Sequence, residues 1–124
     1  LLKNNDGGSI INIASILAER VGLNLSSYAS AKAALVQLTK SMALELARSN
    51  IRVNALAPGY ILTEINQDFF NTDEGKSYIG KIPMKRLGLE NELDGALLLL
   101  ASNASSFMTG SVITVDGGHV VNPL

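Results

Sequence analysis

Two short segments rich in β-branched and small apolar residues, 9–14 and 51–57, flank a long stretch with helical periodicity. The first segment does not alternate polar with apolar residues, which is typical of a parallel strand covered on both faces. A strand, a helix and a second strand form a βαβ unit, and such crossovers are right-handed in nearly all known cases. The sequence therefore predicts an α/β protein built on a doubly wound parallel sheet.

A long helix is predicted between the two strands, because Ser26 and Ser27 are good helix caps and the helical pattern continues to about Arg48. Apolar residues recur on this helix at helical spacing, and the stripe they form is expected to face the core. The stripe consists of Ala31, Leu35, Leu38, Met42 and Leu46. The remaining elements are predicted as the tail of a helix at residues 1–5, short helices at 67–70 and 76–79, a helix at 90–102 and a third strand at 111–116.

The composition excludes several classes of function. The chain has 124 residues, of which 47% are hydrophobic and 17% charged, which indicates one folded domain at most. A net charge of -1 gives no electrostatic reason to expect nucleic acid or an anionic membrane as a partner. The absence of cysteine excludes disulfides and thiolate chemistry, and it suits a reducing cytoplasm. No metal site is predicted.

Tyr28 and Lys32 form the most informative pair of side chains. They stand four residues apart, so on a helix the ammonium group lies one turn from the phenol. A cation close to a phenol favours the ionised form, and a phenol that exchanges protons near neutral pH is a general acid/base. Taken alone, the same spacing also fits a packed tyrosine and a solvated lysine.

Two further segments are expected to meet this pair at one edge of the sheet. Ser15 ends the first predicted strand, and Pro58 and Gly59 end the second, with Thr63 four residues after the glycine. Ligand sites in parallel sheets lie just beyond the carboxyl ends of the strands. These residues are therefore predicted to surround one binding site.

The order and spacing of four motifs resemble those of the classical short-chain dehydrogenase/reductase family, in particular its 3-oxoacyl-carrier-protein reductase and gluconate 5-dehydrogenase types. The motifs are Ser15, Tyr28-x-x-x-Lys32, Val53-Asn54-x-x-x-Pro58-Gly59-x-x-x-Thr63 and the closing run Thr109-Gly110-Ser111-Val112-Ile113-Thr114-Val115-Asp116-Gly117-Gly118. The resemblance covers essentially the whole chain. It implies a Rossmann-like fold, of which this sequence carries the C-terminal portion with three recognisable strands.

The resemblance also implies roles for individual residues. Tyr28 would exchange a proton with the substrate oxygen, Lys32 would assist Tyr28 and bind the nicotinamide ribose, and Ser15 would donate a hydrogen bond to the carbonyl. Further contacts with the nicotinamide would come from Pro58, Gly59, Ile61 and Thr63. The cofactor would be NAD or NADP, and the sequence gives no preference between them.

Less specific interpretations remain for several of these residues. Ser15 also fits a turn residue at a strand end, and Thr63 also fits the cap of a following helix. Asn54 is interpreted as a structural hydrogen-bonding group, and His119 as a surface or interface residue. Arg86 and Glu92 are candidates for an ion pair, although solvated charges are more common.

A partner subunit is also implied by the resemblance. In the family, the helix that carries the tyrosine packs against a neighbouring subunit, and a small-residue face is available on it. This face consists of Ala29, Ala33, Val36, Ala43 and Ala47. A homodimer or homotetramer is therefore expected.

No Gly-rich turn for a pyrophosphate precedes these motifs, although the family has one. Residues 1–124 are therefore expected to be the catalytic, substrate-side part of one domain whose dinucleotide-binding N-terminal half is absent. The first hypothesis is a cytoplasmic NAD(P)-dependent oxidoreductase that interconverts a small-molecule carbonyl and a secondary alcohol. The alternative is a truncated, non-catalytic half-domain that self-associates through an open strand edge.

Overall fold

The computed structural model describes residues 6–123 and contains one parallel sheet of three strands in the order β1, β2, β3. The strands are β1 (Gly8–Ile13), β2 (Ile51–Pro58) and β3 (Val112–Val115). The β1–β2 register runs from Gly8 opposite Ile51 to Ile13 opposite Leu56. The predicted parallel sheet of three strands is thus confirmed, and β2 is its central strand.

Four α-helices accompany this sheet among residues 6–123: α1 (Ser26–Leu46), α2 (Gln67–Phe70), α3 (Asp73–Lys81) and α4 (Asp94–Ala101). The helices predicted at 67–70 and 76–79 correspond to α2 and α3, and the one predicted at 90–102 begins as a 3-10 turn, Glu90–Leu93, before α4. The helix tail predicted at residues 1–5 lies outside the described residues. Among the described helices, none is both long and apolar enough to span a bilayer.

Helices α1 and α4 cover opposite faces of the sheet. Ile10 and Val53 pack with residues of α1, whereas Ser9 and Arg52 donate hydrogen bonds to the Leu100 carbonyl of α4 at 2.7 and 3.0 Å. Neighbouring residues of a strand point to opposite faces, so these contacts place the helices on either side. Both faces of β2 are therefore covered, as is typical of the central strand of a parallel sheet.

The face of α1 that meets the sheet differs from the predicted stripe. Met42 and Leu46 do pack on the core, but Ala31 is exposed and Leu38 is 51% exposed. Val36 and Ala43 belong to the small-residue face that was predicted to contact a partner subunit. Both pack against the protein's own sheet instead. The reason is that α1 carries alanine, valine and leucine around most of its circumference, so its periodicity does not select one face.

The capping prediction for α1 is also wrong. Ser26 is the first helical residue, and Leu25 occupies the cap position without any side-chain hydrogen bond. The helix starts there because the Leu25 carbonyl already accepts the Ala29 N–H at 2.8 Å. Helix α3, in contrast, has a side-chain cap, since the Thr72 hydroxyl accepts the Gly75 N–H at 3.1 Å.

Candidate active site

The Ser15 side chain lies at the carboxyl end of β1. It is 8% exposed, and its Oγ accepts the Leu17 N–H at 3.1 Å, which caps the 3-10 turn Ile16–Ala18. Ser15 is therefore a turn residue at a strand end, as the less specific interpretation stated. Among residues 6–123 the Ser15 hydroxyl donates to no protein acceptor, so its proton is available to a ligand.

Lys32 connects helix α1 to the end of strand β1. Its Nζ donates to the Ile13 carbonyl at 2.8 Å and lies 5.6 Å from the centre of the Tyr28 ring. An ammonium group has three N–H donors, so two are left after the bond to Ile13. Tyr28 is 46% exposed, and its ring and the ammonium group share one environment at the sheet edge. Ser15, Tyr28 and Lys32 thus come from two elements that meet at the end of β1.

The turn after β2 is closely packed against the end of β3. The Gly59 N–H donates to the Val115 carbonyl at 2.9 Å, and a Cβ at position 59 would lie 2.7 Å from the Asp116 Cβ. A side chain cannot be accommodated at that distance, so the position requires glycine. The backbone segments that follow β2 and β3 are therefore in direct contact here.

A short bridge holds the following loop in place. Ile61 lies opposite Gly88, with the Leu62 N–H donating to the Gly88 carbonyl at 2.8 Å and the Gly88 N–H to the Tyr60 carbonyl at 3.0 Å. The loop after Pro58 and Gly59 is therefore paired with a distant segment instead of extending freely over the sheet edge.

Asn66 organises the same loop and was missed by the sequence reasoning. Its Oδ1 accepts the Thr63 N–H at 2.9 Å, and its Nδ2 donates to the Ile61 carbonyl at 2.7 Å. Asn66 occupies the cap position of α2, so the Thr63 hydroxyl is not the helix cap that the alternative interpretation suggested. An asparagine just before a predicted helix was the signal that could have found it.

The donors that this loop leaves available fit a carboxamide. Among the described residues, the Ile61 N–H and the Thr63 hydroxyl have no protein partner. A carboxamide presents one carbonyl acceptor and one NH₂ donor group, which a backbone N–H and a hydroxyl can satisfy. The residues present at the end of β2 therefore fit a nicotinamide.

Asn54 has the structural role that the sequence indicated. It is fully buried, its Nδ2 donates to the Met108 carbonyl at 2.9 Å, and its Oδ1 accepts the Ser111 N–H at 3.0 Å. Both bonds connect β2 to the segment that leads into β3. The oxygen and the nitrogen of the side-chain amide are thus each hydrogen-bonded to backbone, which agrees with a structural role.

The ion pair between Arg86 and Glu92 is present. Both guanidinium nitrogens donate to the carboxylate at 2.7 Å, and the Leu89 N–H donates to the same carboxylate at 2.8 Å. These hydrogen bonds, that of Arg86 first, lower the pKa of Glu92 to about 2. The pair borders a cavity that Tyr60 and Ile61 also line.

His119, interpreted from the sequence as a surface or interface residue, is partly buried beside Tyr60. Its ring centre lies 5.4 Å from that of Tyr60, and burial, as the largest cause, lowers the pKa of the imidazole. Burial likewise raises the pKa of Tyr60, with the neighbouring Tyr78 adding to the effect. Gly117 and Gly118, both with positive φ (62° and 86°), turn the chain after β3 and bring His119 back toward Tyr60.

No group of three or more His, Cys, Asp or Glu side chains within residues 6–123 is arranged to hold a metal ion. The site consists instead of hydroxyl, phenol, ammonium and backbone groups. Such groups can donate hydrogen bonds to an oxygen and exchange a proton with it.

Comparison with known proteins gives consistent matches over nearly the whole chain. A family model described as Enoyl-(Acyl carrier protein) reductase matches residues 1–120. The 2-dehydro-3-deoxy-D-gluconate 5-dehydrogenase of Dickeya dadantii is 42% identical over 118 residues, which are 94% of this chain and 47% of that protein. The chain thus spans about half the length of the curated relatives it matches.

Solved structures agree with this. A short-chain type dehydrogenase/reductase from Mycobacterium marinum is 45% identical with a TM-score of 0.88, and the match covers 95% of this chain and 46% of that one. A gluconate 5-dehydrogenase from Burkholderia cenocepacia, solved in complex with NADP and tartrate, is 37% identical with a TM-score of 0.90 over 97% of this chain and 47% of that one.

Proposed function

The chain belongs to the short-chain dehydrogenase/reductase family, and from this premise we propose that it forms the catalytic part of an NAD(P)-dependent oxidoreductase. The proposed reaction interconverts a carbonyl and a secondary alcohol on a small molecule. The observation that carries the proposal is the position of the Lys32 ammonium, which donates to the Ile13 carbonyl at 2.8 Å and lies beside the Tyr28 ring.

Each catalytic side chain has a distinct task in this proposal. Tyr28 donates a proton to the substrate oxygen during reduction and takes it back during oxidation. The Lys32 ammonium places a positive charge 5.6 Å from the centre of the Tyr28 ring. Ser15 donates its free hydroxyl proton to the same substrate oxygen and stabilises the negative charge that develops on it.

The loop after β2 is proposed to bind the nicotinamide, which supplies or accepts the hydride when bound. The Ile61 N–H and the Thr63 hydroxyl bond the carboxamide, while Pro58 and Gly59 let the backbone approach the ring. The two remaining N–H donors of Lys32 are available for ribose hydroxyls. The NADP bound by the solved relative from Burkholderia cenocepacia supports this assignment, and NAD remains the other candidate.

Replacing Tyr28 by phenylalanine tests the proposal. In the protein as its gene encodes it, we expect Tyr28→Phe to lower kcat/KM by about 10²-fold to 10⁴-fold, because the acid/base is removed. Binding of NADPH, followed by its fluorescence, should persist. The matched control is Lys40→Met, which removes an exposed charge from the same helix and should leave turnover unchanged. Unaltered turnover by Tyr28→Phe would show that the assignment is wrong.

We further propose that the protein acts as a homodimer or homotetramer in the cytoplasm, with no nucleic acid or membrane partner. Apolar side chains on the outer side of α1 support an oligomer, since Leu38 and Leu44 are 51% and 81% exposed. Large exposed apolar side chains in one region are typical of interaction surfaces. The net charge of -1 supports the absence of an anionic partner.

The second candidate is a non-catalytic half-domain that self-associates. It is favoured by the outer edge of β1, which pairs with no strand among residues 6–123. The mass of the native polypeptide separates the candidates. A species near 13.1 kDa that binds no dinucleotide would favour the half-domain, and one of about twice that mass would favour the enzyme.

A further inference from the structure

A cavity of about 290 Å³ lies between the turn after Ser15 and the turn after Gly59. Ile16, the residue next to Ser15, lines one side of it, and Tyr60, the residue next to Gly59, lines another. The cavity therefore borders both segments to which catalysis and nicotinamide binding are assigned. Its volume is at the lower end of the ~300–1,000 Å³ typical of ligand pockets, which suits a small substrate.

Two cations line this cavity without an anionic partner. Arg20 donates through Nη1 to the Val120 carbonyl at 2.6 Å, and the Lys81 ammonium lies 5.2 Å from the centre of the Tyr78 ring. No carboxylate is among the lining residues, and the ion pair of Arg86 is the only one within residues 6–123. The two cations give the lining of the cavity a net positive charge, and the carboxylate of Asp116 lies close by, near His119.

The other polar groups of the cavity are also available. Among the described residues, the His119 Nδ1 is the one buried side-chain nitrogen or oxygen without a hydrogen-bond partner. The nearby carboxylate of Asp116 is already engaged, since it accepts the N–H groups of Gly118 and Val120 at 2.9 and 2.8 Å. An unpartnered buried nitrogen is costly unless a ligand or water satisfies it. Phenols of Tyr60 and Tyr78 add two further donors or acceptors.

We propose that this cavity holds the carboxylate end of the substrate, and that the substrate class is the small hydroxy or oxo carboxylates. The inference rests on the proposed function. Arg20 keeps its second terminal nitrogen for the carboxylate, and Lys81 adds a second positive charge to the lining. His119 and the two tyrosines bond the hydroxyl groups of the same molecule. The reactive carbonyl then lies toward Ser15 and Tyr28.

A matched pair of ketones tests the assignment. 5-Keto-D-gluconate and L-sorbose differ only in carrying a carboxylate or a CH₂OH group at the end remote from the ketone. We expect kcat/KM of the full protein to be at least about tenfold higher for 5-keto-D-gluconate, the effect of one charge-assisted hydrogen bond. Arg20→Gln and Lys81→Gln should each remove about tenfold or more of that value, mainly through KM, and should leave L-sorbose within about twofold.

The control variant is Lys76→Gln, which removes an exposed lysine of the same helix α3 that does not line the cavity. It should change neither ketone's kinetics. Equal turnover of the two ketones, or equal losses for both in Arg20→Gln, would overturn the assignment of the cavity. Turnover that nevertheless depends on Tyr28 would leave the proposed function standing.

A binding measurement covers the case in which neither ketone is turned over. D-gluconate and D-glucitol form the corresponding pair, and the ring signals of His119, assigned with His119→Gln, report binding by NMR. We expect a saturable shift with D-gluconate only, abolished by Arg20→Gln. Absence of that shift would overturn the inference. Turnover that survives Tyr28→Phe would instead contradict the proposed function, whatever the cavity binds.

Discussion

Individual side chains connect the elements around the site. Lys32 and Asn66 each bond backbone carbonyls, and Arg52 bonds three carbonyls together with the Ser105 hydroxyl. The bonds of Arg52 to Leu100 and Ser105, and that of Asn66, are partly shielded from solvent. Removing one partner of such a bond leaves a polar group unsatisfied, which costs more than the bond itself contributes.

Thr39 is the clearest example in the core. It is fully buried, donates to the Leu35 carbonyl at 2.8 Å and accepts from Asn12 Nδ2 at 3.0 Å. Thr39→Val keeps the shape but removes the acceptor, so we expect the free energy of unfolding to fall by about 1–3 kcal/mol in urea titrations. Thr114→Val, an exposed position on β3, is the control. Equal effects of the two variants would contradict this role.

The Arg86–Glu92 pair predicts a pH dependence of stability. The folded-state pKa of Glu92 is lowered from 4.5 to about 2, so the unfolded state binds more protons in that range. The pair therefore stabilises the fold above about pH 4.5, and this contribution disappears as the pH falls toward 2. Urea unfolding of Glu92→Gln should differ from the parent protein at neutral pH and converge with it in acid. A difference that widens in acid would contradict the prediction.

At the scale of elements, helix α4 offers a matched pair of leucines. Leu100 is completely buried against the sheet, whereas Leu98 is 67% exposed. We expect Leu100→Ala to lower the free energy of unfolding by about 2–5 kcal/mol through lost burial and a residual cavity. Leu98→Ala should change it by about 0.5 kcal/mol or less. Denaturant unfolding measures both, and similar losses would show that the exposed leucine is covered in solution.

The order of elements was largely readable from the sequence, because parallel strands and long helices leave strong local patterns. Strand β2 and helix α2 were predicted within a residue of their ends. The inward face of α1 was not predicted correctly. Thr39 is fully buried on that face, whereas Leu38, which was expected there, is 51% exposed. Which side of an apolar helix packs inward depends on the small side chains of the sheet, and these come from distant parts of the chain.

The residues of the site were likewise only partly predictable from the sequence. The residues proposed for catalysis belong to compact motifs with fixed spacing, so they could be named from the sequence. Arg20, Lys81 and His119 come from three separate segments, and no local pattern links them. Only the fold brings them to one cavity.

At the scale of the whole molecule, two features make the described chain prone to association. The outer edge of β1 is unpaired among residues 6–123, and Phe107 is fully exposed. Unpaired strand edges promote self-association, and an exposed aromatic side chain adds apolar surface. We expect the 124-residue chain, expressed alone, to sediment as oligomers at micromolar concentration. A stable monomer of 13.1 kDa that persists across a dilution series would contradict this expectation.

The parallel pairing of β1 with β2 also has a consequence for how the proposed site forms during folding. Ser15 follows β1, the loop proposed for the nicotinamide follows β2, and the crossover between them includes the whole of α1, which carries Tyr28 and Lys32. Closing such a long crossover is entropically costly, so non-local strand pairing is slow compared with helix formation. We therefore expect the groups of the proposed site to come together late in refolding, after most of the helical backbone has formed.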